Sequence, residues 1–330
     1  MSDPLGQPVQ LTVVSAIATT LNCVSGLEEC VERLAVQLDG HQFVEIVLVD
    51  GGSTDGTWEV LLSLAHANPE VRVYREPGAT ISRGRNLAVQ RSRGNVILSF
   101  DSGCWMADDY VRLMTQPFLG DPGCAVVGGK TVAVGVTLFE RCVAALQQGT
   151  PKDTFNPSSR AIAFRRSVFD AVAGYDESVL AGEDTHFNRK WRDAGYRYTH
   201  VPAAEVLWRV RPSLRSLYRM QQRNVTGCVT LGNPWGLVGL STRLSVVSLI
   251  MCAIGLPAAL AGSRLASFTA GTGIMVWLGY TLFRATRRGR WRYLLHPIRF
   301  PIAASAMLAM DLGTWSGTLR EWILRWKRRS

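Results

Sequence analysis

The chain has 330 residues and a formal net charge of +10, which leaves room for one large domain and an accessory region. The charge excess is local: residues 263–330 hold 12 of the 36 Lys and Arg residues and 2 of the 26 acidic residues, and so account for all of it. Because this segment is also strongly apolar, the charge favours a membrane surface over nucleic acid as its partner.

Three further patterns narrow the class of protein. The seven cysteines form no Cys-x-x-Cys pair and have no His at ligand spacing, which disfavours a zinc site and favours reduced thiols in a cytoplasmic domain. The amino terminus lacks basic residues before its first apolar run, so no secretory signal is predicted. No Gly-x-Gly-x-x-Gly follows the first strand, which disfavours a dinucleotide-binding dehydrogenase.

Apolar runs alternate with amphipathic segments along the first hundred residues. Strands and helices are predicted in turn at 11–18, 27–38, 45–50, 58–67, 71–75, 82–92 and 96–100, with a later helix at 184–194. This alternation predicts a mostly parallel, layered α/β domain. The domain is predicted to span 1–235, because Gly and Pro break the pattern just before that point.

The second predicted strand ends on a carboxylate. Asp50 closes an apolar run and is followed by Gly, Gly and Ser, so it lies at the sheet edge where open α/β folds bind ligands. An unpaired carboxylate is expensive inside a strand, which argues for a binding role. The alternative is capping of the next helix, for which Ser53 or Asp55 is better placed than Asp50.

A second strand delivers another carboxylate to the same edge. Asp101 follows the run at 96–100, and two such aspartates make a place for ribose hydroxyls, a base or a cation; Asp101 read alone is also a plausible turn residue. Between the two strands, Arg83 and Arg85 open a predicted helix, where their charge and fork geometry suit a diphosphate. Asn86 is a poor helix former, which favours a specific role for it as well.

These motifs, in this order, resemble family 2 glycosyltransferases with the GT-A fold. The resemblance extends to about residue 230 and rests on the segments 15–22, 49–57, 83–86, 101–103, and 174–176 together with 182–184. It implies transfer, with inversion, from a nucleoside-diphosphate sugar. The implied donor-binding residues are Thr20, Asn22, Asp50, Gly52, Arg83, Arg85, Asn86, Asp101 and Ser102.

The resemblance places the chemistry at a Glu–Asp pair. Asp184 is implied to be the general base that takes the proton of the acceptor hydroxyl, with Glu183 as the second catalytic residue. Two adjacent carboxylates near a diphosphate raise one pKa toward the working range. Consecutive helical residues point about 100° apart, so one of the two is expected to face the acceptor. The other is expected to hold an arginine or to cap the helix.

The implied cofactor is Mg²⁺ or Mn²⁺, with Asp101 as its ligand. Gly103 stands where the family pattern has a second aspartate, so one carboxylate is missing. Two alternatives follow: Asp101 suffices together with phosphate oxygens and waters, or Arg83 and Arg85 take over part of the diphosphate charge.

Residues on the acceptor side are predicted just before the carboxyl-terminal region. Trp208, Arg211 and Arg223 lie in a segment similar to the one that lines the membrane-proximal acceptor site of the family. An amphipathic helix lying on anionic lipid explains the same residues equally well. Asn224 replaces the tryptophan of the processive pattern, which does not favour processive synthesis.

Residues 236–330 are predicted to be a membrane region. Two runs at about 244–262 and 265–283 lack internal charge (apart from Arg264 between them) and are long enough to cross a bilayer, which predicts a transmembrane helical hairpin. The alternative is two buried helices of a soluble domain. The basic loop at 284–292 favours cytoplasmic ends. The segment 293–330 is predicted to be an interfacial or re-entrant helix, since Pro301 and Asp311 interrupt it.

The combined prediction is a multi-pass protein of the cell membrane with a cytoplasmic catalytic domain. Its expected partners are a nucleoside-diphosphate sugar, a lipid-linked or cell-envelope glycan acceptor, and the lipid bilayer, with no nucleic acid. Two alternatives remain open: a nucleotidyltransferase, which should show a Gly-rich phosphate loop, and a non-catalytic membrane scaffold that only binds nucleotide.

Overall fold

The structure of the chain, a computed structural model, describes residues 12–39, 42–147, 156–230, 240–286 and 291–327. The chain forms two compact units. The sheet unit comprises residues 1–132 and 151–208, and the helical unit comprises residues 133–150 and 209–330. The predicted boundary at residue 235 lies outside the described residues.

The secondary structure follows the predicted alternation and extends beyond it. The strands are β1 Val14–Thr20, β2 Phe43–Asp50, β3 Val71–Arg75, β4 Val96–Ser99, β5 Cys104–Met106, β6 Val126–Val134, β7 Ile162–Arg165 and β8 Tyr198–Arg209. The helices are α1 Leu27–Ala35, α2 Thr57–Ala67, α3 Ile81–Arg91, α4 Tyr110–Gly120, α5 Leu138–Gln147, α6 Arg166–Ala171, α7 Glu183–Asp193, α8 Leu214–Thr230, α9 Leu240–Leu260, α10 Arg264–Thr286, α11 Trp291–Leu294 and α12 Arg299–Lys327.

The eight strands found in the described part of the chain belong to one sheet in the order β3-β2-β1-β4-β7-β6-β8-β5. Strands β3, β2, β1 and β4 are parallel, whereas β7 is antiparallel to both β4 and β6, and β5 is antiparallel to β8. The predicted α/β class is therefore confirmed. The alternation of strands with helices predicts the parallel half of the sheet. The strands of the antiparallel half do not alternate regularly with helices, so the sequence pattern did not predict them.

Strand β2 is buried on both faces, as expected for a central parallel strand. Ile46 and Leu48 enter one core with α1, α2 and α4, and Val47 and Val49 enter a second core with α3, α6 and α7. Successive side chains of a strand point to opposite faces, so an uninterrupted apolar run fills both cores. The strand thereby carries Asp50 to the sheet edge, where Thr20 of β1 is its neighbour in register.

The helical unit contains a buried ion pair and closely packed helices. Asp311 of α12 accepts hydrogen bonds from Ser245 Oγ at 2.7 Å and from Arg284 Nη1 at 2.7 Å. Helices α12 and α8 approach each other at Gly313, where a Cβ atom would lie 2.4 Å from the carbonyl oxygen of Tyr218. Only glycine permits this approach.

The predicted transmembrane hairpin is not supported. The two runs form α9 and α10, of 21 and 23 residues, but none of the helices within the described residues is both long enough and apolar enough to cross a membrane. Ser, Thr and Gly recur along both helices and dilute their apolar character. The segment 293–330, predicted to be an interfacial or re-entrant helix, contains the 29-residue helix α12, and its relation to a membrane stays a prediction. Residues 287–290 of the predicted basic loop lie outside the described residues.

Candidate active site

The carboxylate of Asp50 is fully buried and organises the loop that follows β2. Its Oδ2 atom accepts hydrogen bonds from the backbone N–H groups of Gly52 at 3.1 Å and Ser53 at 3.0 Å. Its Oδ1 atom accepts from the hydroxyls of Ser53 and Thr20, and Arg75 Nε lies 3.5 Å from Oδ2. Asp50 therefore shapes the predicted donor loop from within.

A second set of hydrogen bonds joins this loop to the one after β1. The backbone N–H of Asn22 donates to Ser53 Oγ at 2.9 Å, and Asn22 Oδ1 accepts from the N–H of Thr54 at 2.9 Å. Asn22 adopts a φ of 49°, in the left-handed region that Asn tolerates better than most residues. The structure thus brings together Thr20, Asn22, Asp50 and Gly52 as one paired loop.

Substitution of Asp50 should disorder this loop. Asp50→Ala leaves several buried donors unpaired, and we expect it to lower the free energy of unfolding by about 3 kcal/mol and to abolish nucleotide binding. Urea denaturation and titration with nucleoside diphosphates measure the two effects. Asp55→Ala, on the exposed part of the same loop, should cost less stability. If Asp50→Asn keeps full stability but loses nucleotide affinity, the carboxylate contacts nucleotide directly and the loop-shaping role is wrong.

Helix α3 presents its polar residues to different partners. Arg83 is half exposed and pairs with Glu76 at 3.1 Å and Glu177 at 3.5 Å. Asn86 is buried, and its amide both donates to the carbonyl of Tyr175 at 2.8 Å and accepts from the N–H of Tyr175 at 2.9 Å. In the described structure, these two predicted donor-binding residues are engaged within the protein.

Arg85 links the donor side to the predicted catalytic pair. The side chain is 3% exposed, with Nη1 2.7 Å from Glu183 Oε1 and Nη2 2.8 Å from Asp101 Oδ1. Its guanidinium lies 5.5 Å from the centre of the Tyr175 ring, which Asn86 holds through the backbone. One buried cation therefore sets the spacing of two carboxylates that are 82 positions apart in the chain.

Asp101 has a second arginine on its other oxygen. Arg160 Nε lies 3.2 Å from Oδ2, and the Arg160 guanidinium lies 4.6 Å from the centre of the Trp208 ring. Burial by itself raises the pKa of Asp101, but the charges of Arg160 and Arg85 lower it by more, so the net shift is downward. Asp101 is therefore held as a carboxylate between two guanidinium groups.

The residues that follow Asp101 make the turn into β5. Ser102 donates its hydroxyl to Cys23 Sγ at 3.2 Å, which ties this turn to the loop after β1. Gly103 has a φ of 84°, a conformation that side-chain-bearing residues rarely adopt. The position that carries an aspartate in the family pattern is thus a turn residue here.

Glu183 and Asp184 occupy the first turn of α7, after Gly182 in the left-handed conformation. The positive end of the helix dipole favours carboxylates at this position. Glu183 is 9% exposed and paired with Arg85, whereas the described residues offer Asp184 no ion pair. Asp184 Oδ1 accepts only local hydrogen bonds from Thr185.

The two carboxylates therefore differ in their electrostatic surroundings as well as in their partners. Burial raises the pKa of Asp184 and the adjacent Glu183 charge raises it further, while Arg85 and the N–H of Thr185 act in the opposite direction; the net shift is upward. A partly exposed carboxylate with a raised pKa is suited to accepting a proton. Glu183 is the partner of Arg85, and the role of Asp184 as the general base stays a prediction that is compatible with these surroundings.

The donor set around Asp101 does not fit a divalent cation. Mg²⁺ takes oxygen ligands, usually carboxylates, phosphates and waters, and both oxygens of Asp101 face guanidinium groups. Gly103 contributes no carboxylate, and no group of three or more Asp, Glu, His or Cys side chains suited to a metal occurs within the described residues.

The remaining predicted acceptor-side residues are divided between the units. Trp208 belongs to the sheet unit, at the end of β8 and in register with Cys104 of β5. Arg211 and Arg223 belong to the helical unit, where Arg211 follows β8 and Arg223 is exposed on α8. The role of these residues stays a prediction.

Sequence reasoning missed Arg160, and it noted Tyr175 within the Gly-Tyr-Asp motif without giving it a role of its own. Arg160 lies in an irregular segment just before β7, outside any recognisable motif. Strand β7 runs antiparallel to β4, with Ile162 opposite Ser99, so residues before β7 meet residues after β4. The available signal was a charged residue shortly before an apolar strand. It could have placed Arg160 beside Asp101 only if the direction of β7 relative to β4 had been known.

Comparison with known proteins assigns the family. Residues 15–172 match Glycosyl transferase family 2, and residues 96–309 match Glycosyl transferase family group 2. The chain belongs to glycosyltransferase family 2. It is therefore a transferase, and family membership disfavours the scaffold and nucleotidyltransferase alternatives.

Three relatives of this glycosyltransferase illustrate the range of names among similar proteins. It is 27% identical over 230 residues to the succinoglycan biosynthesis protein ExoA of Rhizobium meliloti, covering 66% of this chain and 68% of the relative. It is 26% identical over 197 residues to glycosyltransferase AglE of Haloferax volcanii, covering 57% of this chain and 64% of AglE. It is also 31% identical over 118 residues to the chondroitin synthase of Pasteurella multocida, covering 36% of this chain and only 12% of the synthase.

Solved structures confirm the GT-A fold of this glycosyltransferase. The mannosyltransferase PcManGT from Pyrobaculum calidifontis, in complex with GDP-Man and Mn²⁺, aligns with a TM-score of 0.58 and 19% identity, covering 93% of this chain and 88% of the other. GalNAc-T7 with UDP, GalNAc and Mn²⁺ aligns with a TM-score of 0.50 and 16% identity, covering 67% and 52% of the two chains. At these identities the likeness shows the fold alone.

Proposed function

We propose that this glycosyltransferase moves a sugar from a nucleoside-diphosphate sugar to a glycan or lipid-linked acceptor of the cell envelope, with inversion at the anomeric carbon. The observation that carries the proposal is the Arg85 bridge, because it joins Asp101 on the donor side to Glu183 beside the candidate base. One buried cation holds a donor-side carboxylate and the glutamate next to the candidate base, which meets the positioning requirement of a direct displacement.

In the proposed reaction the acceptor hydroxyl oxygen attacks the anomeric carbon of the donor. The new carbon–oxygen bond forms as the bond to the diphosphate breaks, the electron pair leaves with the diphosphate, and Asp184 takes the hydroxyl proton. Asp184 is suited to this step since it is partly exposed and has a raised pKa. Glu183 pairs with Arg85 and thereby keeps the first turn of α7, and with it the base, in position.

The class of acceptor is supported by the relatives and by charge. ExoA and the chondroitin synthase are named for polysaccharides, and both are similar to parts of this chain. The charge excess of residues 263–330 supports, as a further part of the proposal, transfer at the cytoplasmic face of a membrane with an anionic surface. Arg211 and Arg223 are proposed to belong to the acceptor side, in keeping with the sequence prediction.

A donor screen tests the proposed reaction. Purified full-length chain is incubated with individual nucleoside-diphosphate sugars and an envelope lipid extract, and release of nucleoside diphosphate and labelled product is measured. We expect one donor to be consumed at least about tenfold faster than the others, since a sugar site that pairs its hydroxyls rejects mismatched isomers strongly. NMR of the product gives the anomeric configuration. Release from no donor in the presence of acceptor extract would contradict the proposal, and retention of configuration would contradict the direct displacement.

A further inference from the structure

The surroundings of Asp101 are the reverse of those of a cation ligand. A carboxylate that ligates Mg²⁺ or Mn²⁺ offers its oxygens to a positive ion, whereas the oxygens of Asp101 already face Arg85 at 2.8 Å and Arg160 at 3.2 Å. A divalent cation placed on this carboxylate would repel both guanidinium groups at short range. The negative charge of the Asp101 carboxylate is therefore already balanced by two guanidinium groups of the protein.

The turn after Asp101 cannot supply the missing ligand. Gly103 has no side chain and a φ of 84°, and a Cβ added there would meet only the Ser25 carbonyl oxygen, at 4.0 Å. A Cβ atom would therefore meet no crowding, and the absence of a carboxylate comes from the residue type and the backbone conformation.

The two arginines on Asp101 are not equivalent. Arg85 is 3% exposed and pairs with Glu183 as well as with Asp101. A movement of its guanidinium toward a ligand would therefore break two ion pairs. Arg160 is 33% exposed and rests on the face of Trp208, a contact that permits its guanidinium to turn. Only Arg160 of this pair combines a solvent-accessible guanidinium with a place beside the donor carboxylate.

We propose that Arg160 supplies the positive charge that meets the donor diphosphate, so that donor binding does not require a divalent cation. This inference rests on the proposed function, since it concerns the same donor site. A planar guanidinium matches two phosphate oxygens at once and keeps its charge at every accessible pH. Asp101 remains paired with Arg85 when Arg160 turns to the diphosphate.

Nucleoside-diphosphate binding is the direct test. The full chain is titrated calorimetrically with UDP and separately with GDP, in Mn²⁺ and in EDTA. For whichever nucleotide binds, we expect the two dissociation constants to agree within about twofold. Arg160→Ala should weaken binding by about tenfold or more, and Arg160→Lys by less, because Lys keeps the charge but loses the fork. Arg197→Ala removes an exposed guanidinium paired with Asp121 and serves as the matched control, with unchanged binding.

A second pair of variants tests whether a divalent cation can replace the positive charge of Arg160 in donor binding. Gly103→Asp combined with Arg160→Ala restores a second carboxylate and removes the guanidinium, and we expect its nucleotide binding to become dependent on Mn²⁺. Gly103→Ala combined with Arg160→Ala introduces the same backbone strain without a carboxylate and should bind weakly with or without Mn²⁺. Circular dichroism of all variants separates loss of binding from loss of folding.

The outcomes separate this inference from the proposed function. If the wild-type chain binds a nucleoside diphosphate only in Mn²⁺, or if Arg160→Ala binds as tightly as the wild type in EDTA, the inference is overturned and the donor site stands. If neither nucleotide binds under any condition, the donor assignment itself fails, and the inference fails with it.

Discussion

Asp184→Asn is expected to lower kcat by about 10²–10⁴-fold while the affinity for nucleoside diphosphate changes by less than about twofold. The amide occupies the volume of the carboxylate but cannot take the proton of the acceptor hydroxyl. Donor affinity should persist because Asp184 makes only local hydrogen bonds, to Thr185, and no ion pair among the described residues. Single-turnover kinetics and calorimetric titration measure the two quantities separately.

The pH dependence of kcat/KM gives a second measure of the same residue. Because the pKa of Asp184 is raised, its carboxylate is the active form only at higher pH than for an ordinary aspartate. Activity should therefore rise as pH increases through the raised value and disappear below it. A kcat/KM that rises instead through the ordinary range of an aspartate, or does not depend on pH there, would argue against Asp184 as the base.

Asp193→Asn serves as the control for that substitution. Asp193 lies exposed at the other end of α7, so the same chemical change there should leave kcat and its pH profile unaltered. If Asp184→Asn retains most of its activity while Glu183→Gln loses it, the roles of the two carboxylates are exchanged.

Arg85→Met is expected to lower the free energy of unfolding by about 3–5 kcal/mol and to abolish transfer. The side chain is almost completely buried between Asp101 and Glu183, and its removal leaves two carboxylates without their shared partner. Equilibrium urea denaturation of the full chain gives the stability, and the donor assay gives the activity.

The stability loss should also depend on pH with a defined sign. The charges of Arg160 and Arg85 lower the pKa of Asp101 against the opposing effect of burial. The stabilisation from this pairing is present above the ordinary pKa of an aspartate and is lost as pH falls through the lowered value. The difference between wild type and Arg85→Met should therefore shrink in acid.

Arg83→Ala is the matched comparison for stability on the same helix. Arg83 is half exposed and its ion pairs with Glu76 and Glu177 are solvated, so its removal should cost far less than that of Arg85. Equal losses for the two variants would show that the Arg85 bridge does not hold the site together. Residues two apart on a helix face different sides, which explains how neighbours in one motif have such different surroundings.

The sequence by itself determined the parallel half of the sheet and the positions of its carboxylates. Apolar runs that alternate with helices specify β1 to β4. The apolar run of β2 ends on Asp50, which places this carboxylate at the end of the strand. These features depend on local pattern and on the burial of both faces, which a sequence displays directly. The motif from Arg83 to Asn86 was likewise visible, although the different environments of its members were not.

The tertiary structure decided which charges meet. Arg160 lies beside Asp101 because β7 runs antiparallel to β4. The sequence of such a short strand does not indicate its direction in the sheet. The way in which Asp50 shapes its loop depends on the groups that pack against it. The different partners of Glu183 and Asp184 likewise depend on which residues lie near them in the folded chain. The transmembrane prediction for α9 and α10 failed for a different reason, because it relied on runs without charge and did not weigh the mean hydropathy of the two segments. Pairing between distant residues is a property of three-dimensional packing, and only the folded chain reveals it.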